Sequence, residues 1–88
     1  MLVKRNPRLL ASALPDGNTA LLVVETGRYV TFDGTATAIW ERIENPIAFA
    51  DLIDSLLAEY DVTQAVLEKD VTDALHKLAE MQVVTLAD

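Results

Sequence analysis

The sequence predicts an α+β domain in which three antiparallel strands lead into three helices, and three observations predict it. Between residues 8 and 32, short apolar runs are separated by turn residues. Beyond Asp33, apolar residues recur at helical spacing as far as Met81. The stretch Thr26-Gly-Arg-Tyr-Val-Thr-Phe-Asp-Gly-Thr-Ala-Thr-Ala-Ile-Trp-Glu-Arg-Ile43 passes directly from the first pattern to the second.

Arg8 to Leu14, with Leu9, Leu10, Ala11 and Leu14, is read as the first strand. Pro15-Asp-Gly-Asn18 closes it, because proline presets φ while Gly-Asn tolerates positive φ. Thr19 to Glu25 is a continuous apolar run of strand length, and Thr26-Gly27 turns it into a third strand, Arg28–Phe32. The aromatic and β-branched residues of that third run suit a pleated, half-buried surface. It is followed by a helix, and no later strand is expected beside it, so one sheet edge is expected to be free.

Asp33 is expected to cap the first helix, whose apolar positions are Ala36, Ile39, Trp40 and Ile43 and which ends near Glu44-Asn45-Pro46. Trp40 is the expected anchor of that helix on the sheet. Ile47, Phe49, Leu52, Ile53, Leu56 and Leu57 form the stripe of the second helix, with Asp51, Asp54, Glu59 and Asp61 opposite. Thr63 should cap the third, which keeps Leu67, Val71, Ala74, Leu75, Leu78 and Met81 on one face and turns Lys69, Asp73, His76, Lys77 and Glu80 to water. Val83-Val84 is expected to return as a short strand or a packing tail.

The 88 residues, 51% of them hydrophobic, make one small domain with a single core. Charge is divided unevenly. Residues 1–30 hold four basic and two acidic residues, and residues 31–88 hold three basic and twelve acidic, for a total of −7. That balance argues against a nucleic-acid partner, whose affinity would rest on Lys and Arg neutralising phosphates. There is no cysteine, no signal-type apolar run at the N-terminus and no stretch of eighteen apolar residues. A cytoplasmic protein that does not enter the membrane is expected.

No arrangement of residues points to catalysis. His76, the single histidine, lies on the polar side of its helix without positioned partners. The i, i+3 pairs Asp51/Asp54 and Asp70/Asp73 supply far fewer oxygens than a Ca²⁺ loop, and the three glycines match no phosphate-binding pattern. Neither a cofactor nor a metal is expected. Three strands and three helices are also the inventory of a winged helix-turn-helix protein. Here, however, the third helix sets Lys69, Lys77 and His76 against Glu68, Asp70, Asp73 and Glu80 and would repel DNA.

The run Gly27-Arg-Tyr-Val-Thr-Phe-Asp-Gly-Thr-Ala-Thr-Ala-Ile-Trp40, followed by Pro46, Leu52-x-x-x-Leu56-x-x-x-Tyr60-Asp-Val62, Asp70-Val71 and Leu75-x-x-Leu78, resembles the PqqD-like family, which supplies the RiPP recognition element. The resemblance covers about residues 8–84. It implies a winged-helix-like domain that binds the leader part of a ribosomally made precursor peptide and delivers it to modifying enzymes such as a protease, a cyclase or a radical enzyme. The leader would add as an extra strand to the third strand, beside the third helix. Peptide-binding residues would then come from Arg28, Tyr29, Val30, Thr31 and Phe32 of the strand and from Asp70, Asp73, Ala74, Leu75, Lys77 and Leu78 of the helix.

Alternation places Val30 and Phe32 on one face and Tyr29 and Thr31 on the other. The apolar pair is expected to line the cleft or the core with Ala74, Leu75 and Leu78. Asp70, Asp73 and Lys77 are expected to form a charged rim. Family members often carry Asn where this chain has Asp33 and Gly where it has Gln82, at the end of the third helix; a left-handed cap suits glycine there, and the Cβ of Gln82 disfavours it. The segment Glu41-Arg-Ile-Glu-Asn-Pro-Ile47 is more similar to stand-alone members that accompany lasso-peptide proteases and cyclases. Two other readings use the same elements: a winged-helix DNA binder, and a module that dimerises through the free sheet edge.

Overall fold

The computed structural model describes residues 1–15, 19–32 and 34–87, with Ala13 and Phe32 described by their backbone alone. Its elements run β1 (Leu2–Arg5), β2 (Leu9–Ala13), β3 (Thr19–Val23), β4 (Arg28–Phe32), α1 (Thr35–Arg42), β5 (Ile47–Ala48), α2 (Phe49–Leu57), α3 (Gln64–Glu80) and β6 (Val84–Ala87). The mixed α+β class and the three helices are as the sequence predicts. The strands form two antiparallel sheets, not one.

The first sheet is the meander β2-β3-β4. β2 and β3 pair from Leu9↔Val23 to Ala13↔Thr19, and β3 and β4 from Thr19↔Phe32 to Val23↔Arg28. β3 stops at Val23, two residues short of the expected Glu25, because Val24 to Gly27 form the turn. The Thr26 and Gly27 amides both donate to the Val23 carbonyl, and Gly27 sits at φ 70, a conformation that disfavours a Cβ. On the inner face Leu21 and Val23 are fully buried, and Leu9 and Val30 pack against the core. The register sets Leu10, Leu22 and Tyr29 in one row across the outer face.

The second sheet has the order β5-β1-β6. β1 pairs with β5 through Leu2↔Ala48 and Val3↔Ile47, and with β6 from Leu2↔Ala87 to Arg5↔Val84. Residues 2–5 therefore form a strand that the sequence pattern did not predict, and Ile47, expected within the second helix, belongs to a strand that precedes it. Four residues ending in Lys4-Arg5 carry little strand signal. Their partners lie about forty-five and eighty residues away, beyond the reach of any hairpin rule. The anticipated return of the chain at Val83-Val84 is β6.

The helices fill the space beside the sheets. Ala38, Ile39 and Trp40 of α1, Leu52, Ile53 and Leu56 of α2, and Leu67, Val71, Leu75 and Leu78 of α3 join one core with Val3, Leu21, Val83 and Val84. Asp33, the expected cap of α1, lies outside the described residues; the N-cap position is Gly34, at φ 59. Thr63 does cap α3, its hydroxyl accepting from the Val66 amide at 3.3 Å. Trp40 is almost fully buried, and Arg5 of β1 lies on it, with its guanidinium carbon 3.8 Å from the ring centroid and Nη2 donating to the Trp40 carbonyl at 2.7 Å. Arg42 ties α1 to α2 by donating to Ser55 Oγ at 2.8 Å and pairing with Glu59 at 2.8 Å.

Candidate functional site: the open edge of β4

β4 is paired on one side only, with β3. A strand in that position presents unpaired amides and carbonyls along its outer edge, already extended and ready to template another chain. Beside it lies a cleft of about 240 Å³ lined by Thr26, Arg28, Tyr29, Val30, Glu80, Met81 and Gln82. One wall is the start of β4 with its turn, and the other is the C-terminal end of α3. Tyr29 is 75% exposed and Met81 41%, so the cleft offers large apolar side chains to solvent between one basic and one acidic residue.

The α3 wall is shaped by an unusual helix end. The Gln82 amide donates to the Ala79 carbonyl at 3.0 Å and the Val83 amide to the Leu78 carbonyl at 2.8 Å, the two bonds of a Schellman cap. That cap requires a left-handed residue, and Gln82 supplies it at φ 62, the one positive-φ residue other than glycine among those described. A Cβ in this conformation costs about 1 kcal/mol relative to glycine. β1 helps to hold it there, because the residue after that strand, Asn6, donates from Nδ2 to the Gln82 carbonyl at 2.7 Å and from its backbone amide to the Val83 carbonyl at 3.0 Å.

The residues nominated from sequence fall into three groups. Arg28, Tyr29 and Val30 line the cleft, and Thr31 is exposed farther along the same strand. Phe32 belongs to β4 by its backbone, and its side chain lies outside the description. On α3, Leu75 and Leu78 are buried in the core, Ala74 is half-buried against it, and Asp70, Asp73 and Lys77 are exposed. None of these six is among the residues lining the cleft, whose α3 wall is made one turn later, by Glu80, Met81 and Gln82. The sequence did carry one signal for that turn, the apolar stripe that runs on to Met81; the left-handed cap, which the Cβ of Gln82 disfavours, forms all the same.

Among the described residues, no three His, Cys, Asp or Glu side chains stand close enough to hold a metal ion, and no helix is long and apolar enough to cross a membrane.

The sequence profile of PqqD, coenzyme PQQ synthesis protein D, matches residues 18–84. The chain belongs to the PqqD family. No curated protein sequence matches it significantly. Among solved structures, TbiB1 in complex with the TbiA(beta) leader peptide is 28% identical, covers 97% of this chain and 99% of its own, and superposes with a TM-score of 0.84. Lasso peptide synthetase B1 complexed with its leader peptide is 24% identical over 96% of this chain and 98% of its own, with a TM-score of 0.80. The PqqD portion of Methylobacterium extorquens PqqCD, described as a stand-alone RiPP recognition element, is 20% identical over 97% of this chain and 89% of its own, with a TM-score of 0.75. These last two likenesses concern the fold.

Proposed function

We propose that this PqqD-family chain binds the leader segment of a ribosomally synthesised precursor peptide by strand addition to β4 and presents it to modifying enzymes, without catalysing a reaction itself. The observation that carries the reading is the open edge of β4 beside the α3 cleft, in a chain that aligns over nearly its full length with TbiB1, a protein solved with a leader peptide. Main-chain bonds to β4 supply affinity that depends little on sequence, and pockets for alternate leader side chains supply selectivity. Arg28, Tyr29, Val30, Thr31 and Phe32 provide the edge. Ala74, Leu75 and Leu78 support it from the core, and Asp70, Asp73 and Lys77 form an outer charged rim.

Likeness to TbiB1 and to lasso peptide synthetase B1 favours a lasso-peptide pathway, with a leader protease and a cyclase as partners, in the cytoplasm. Isotope-labelled protein titrated with the leader of a precursor encoded beside its gene, or with the TbiA(beta) leader, tests the reading. The amide signals of residues 28–32 are expected to move most. Shifts centred on Phe49–Leu57 of α2 would overturn the docking site. The mass of the precursor should be unchanged after incubation with the protein alone; a cleaved or modified product would overturn the adaptor role.

A further inference from the structure

Gln82 borders two cavities. The cleft beside β4 is one; the other, also of about 240 Å³, is lined by Asn6, Glu25, Ala79, Gln82, Val84 and Thr85. The two differ in chemistry. Tyr29, Val30 and Met81 give the first an apolar wall between Arg28 and Glu80, whereas the second sets Asn6, Thr85 and the carboxylate of Glu25 beside Ala79 and Val84.

The fold has no use of its own for a side chain at this position. The cap is made by backbone bonds, glycine satisfies it with less strain, and the Gln82 carboxamide has no hydrogen-bond partner among the described residues. Strained backbone of this kind persists where its surroundings over-determine it and is concentrated at ligand sites. Here the Schellman bonds and the two bonds from Asn6 hold the backbone, leaving the side chain free to act on what enters the cleft.

We propose that Gln82 is a specificity-determining residue, a partition that limits how long a leader side chain the β4 cleft accepts. The inference rests on the leader-binding reading. With the partition in place, a side chain of leucine size is accommodated against Tyr29 and Met81, and one long enough to pass Gln82 is excluded. Without it the two cavities join, and the composite site suits a long basic side chain: its methylene stem lies along the apolar wall and its cationic head reaches Glu25. Glu25 is half-exposed and only loosely engaged, its carboxylate standing 3.8 Å from Arg8 Nε.

The probe is a peptide selected from a displayed random library on the wild-type protein, resynthesised with Leu, Trp or Arg at each position in turn. At one position Arg and Trp are expected to bind the wild-type protein at least about tenfold more weakly than Leu, the scale of a misfit in a side-chain pocket. Gln82→Ala and Gln82→Gly should both remove that penalty. Only the glycine variant should also melt at higher temperature, because alanine keeps the Cβ strain; this separates the effect of the side chain from that of the backbone. Adding Glu25→Gln to either variant should abolish the gain for Arg and spare the gain for Trp. If all variants share one preference profile while the β4 amides still shift on binding, the partition is wrong and leader binding stands. If no selected peptide moves the β4 amides, the leader-binding reading falls and this inference falls with it.

Discussion

The two sheets are built by opposite routes. In β2-β3-β4 each strand pairs with its neighbour in sequence, across connections of a few residues. In β5-β1-β6 the central strand comes from the beginning of the chain, and its partners come from the middle and the end. The first is a local object, specified by turn residues and by the alternation of a few positions. The second exists only after the helices have brought distant segments together. The difference teaches where the candidate site is exposed and where it is supported: the local sheet offers the open β4 edge, and the distant one, through Asn6, braces the helix end that faces it.

Substituting comparable positions of the two sheets tests this division most severely. Val3→Asp places a charge at the fully buried centre of β1 and should destabilise the whole domain by about 3–5 kcal/mol. Leu10→Asp, at a 61% exposed position on the outer face of β2, should stay within about 0.5 kcal/mol. Chemical denaturation of the two variants measures the contrast. If Val3→Asp melted β1 and β6 while α3 kept its hydrogen-exchange protection, the second sheet would be an appendage and not part of the core.

A smaller loss is expected from Arg5→Ala. It removes a charge-assisted bond to the Trp40 carbonyl and a cation–π contact, and it relieves Arg5 Nε, which is buried without a partner among the described residues. These opposing effects leave a net cost of about 1–2 kcal/mol. Equilibrium unfolding followed by Trp40 fluorescence reports it directly, and Arg5→Lys should recover only part because an ammonium cannot stack as a guanidinium does.

Gln82→Gly should act in the opposite direction. Relief of left-handed strain stabilises by about 1 kcal/mol, which for a domain of this size raises Tm by about 4–8 °C. An unchanged or lower Tm would show that Asn6 and the Schellman bonds hold the residue without strain.

The smallest effect is expected on α3. Lys77→Glu should weaken an acidic leader by about 0.5–1 kcal/mol at low salt and by less as salt rises, with little change in folding, since Lys77 is exposed. Equal affinities at both salts would leave Asp70, Asp73 and Lys77 outside the contact.

Much of the local sheet was legible in the sequence. Arg28–Phe32 has its observed bounds because the glycine turn before it and the change of period after it are both short-range signals. The α3 stripe was equally plain, sustained as it is from Leu67 to Leu78. What stayed hidden depends on partners far away in the chain. Leu2-Val-Lys-Arg5 has no pattern of its own and becomes a strand only against Val84–Ala87. The site divides in the same way: β4 could be found from its composition, whereas the facing wall at Glu80, Met81 and Gln82 depends on the angle at which the helix ends and the chain returns to β6.

The pairing of β1 with β6 also bears on the order in which the molecule assembles. Joining Leu2 to Ala87 closes almost the entire chain into a loop, and by the logarithmic scaling of closure entropy this costs roughly 2.5 kcal/mol more than closing a hairpin of a few residues. Contacts of such separation carry their closure cost before they are rewarded and are completed late during folding. Asn6 follows β1 directly, so its bonds to Gln82 and Val83 form and break with that closure. The β2-β3-β4 meander can therefore be complete while the end of α3 is still unbraced, and the last step of folding is the one that finishes the cleft.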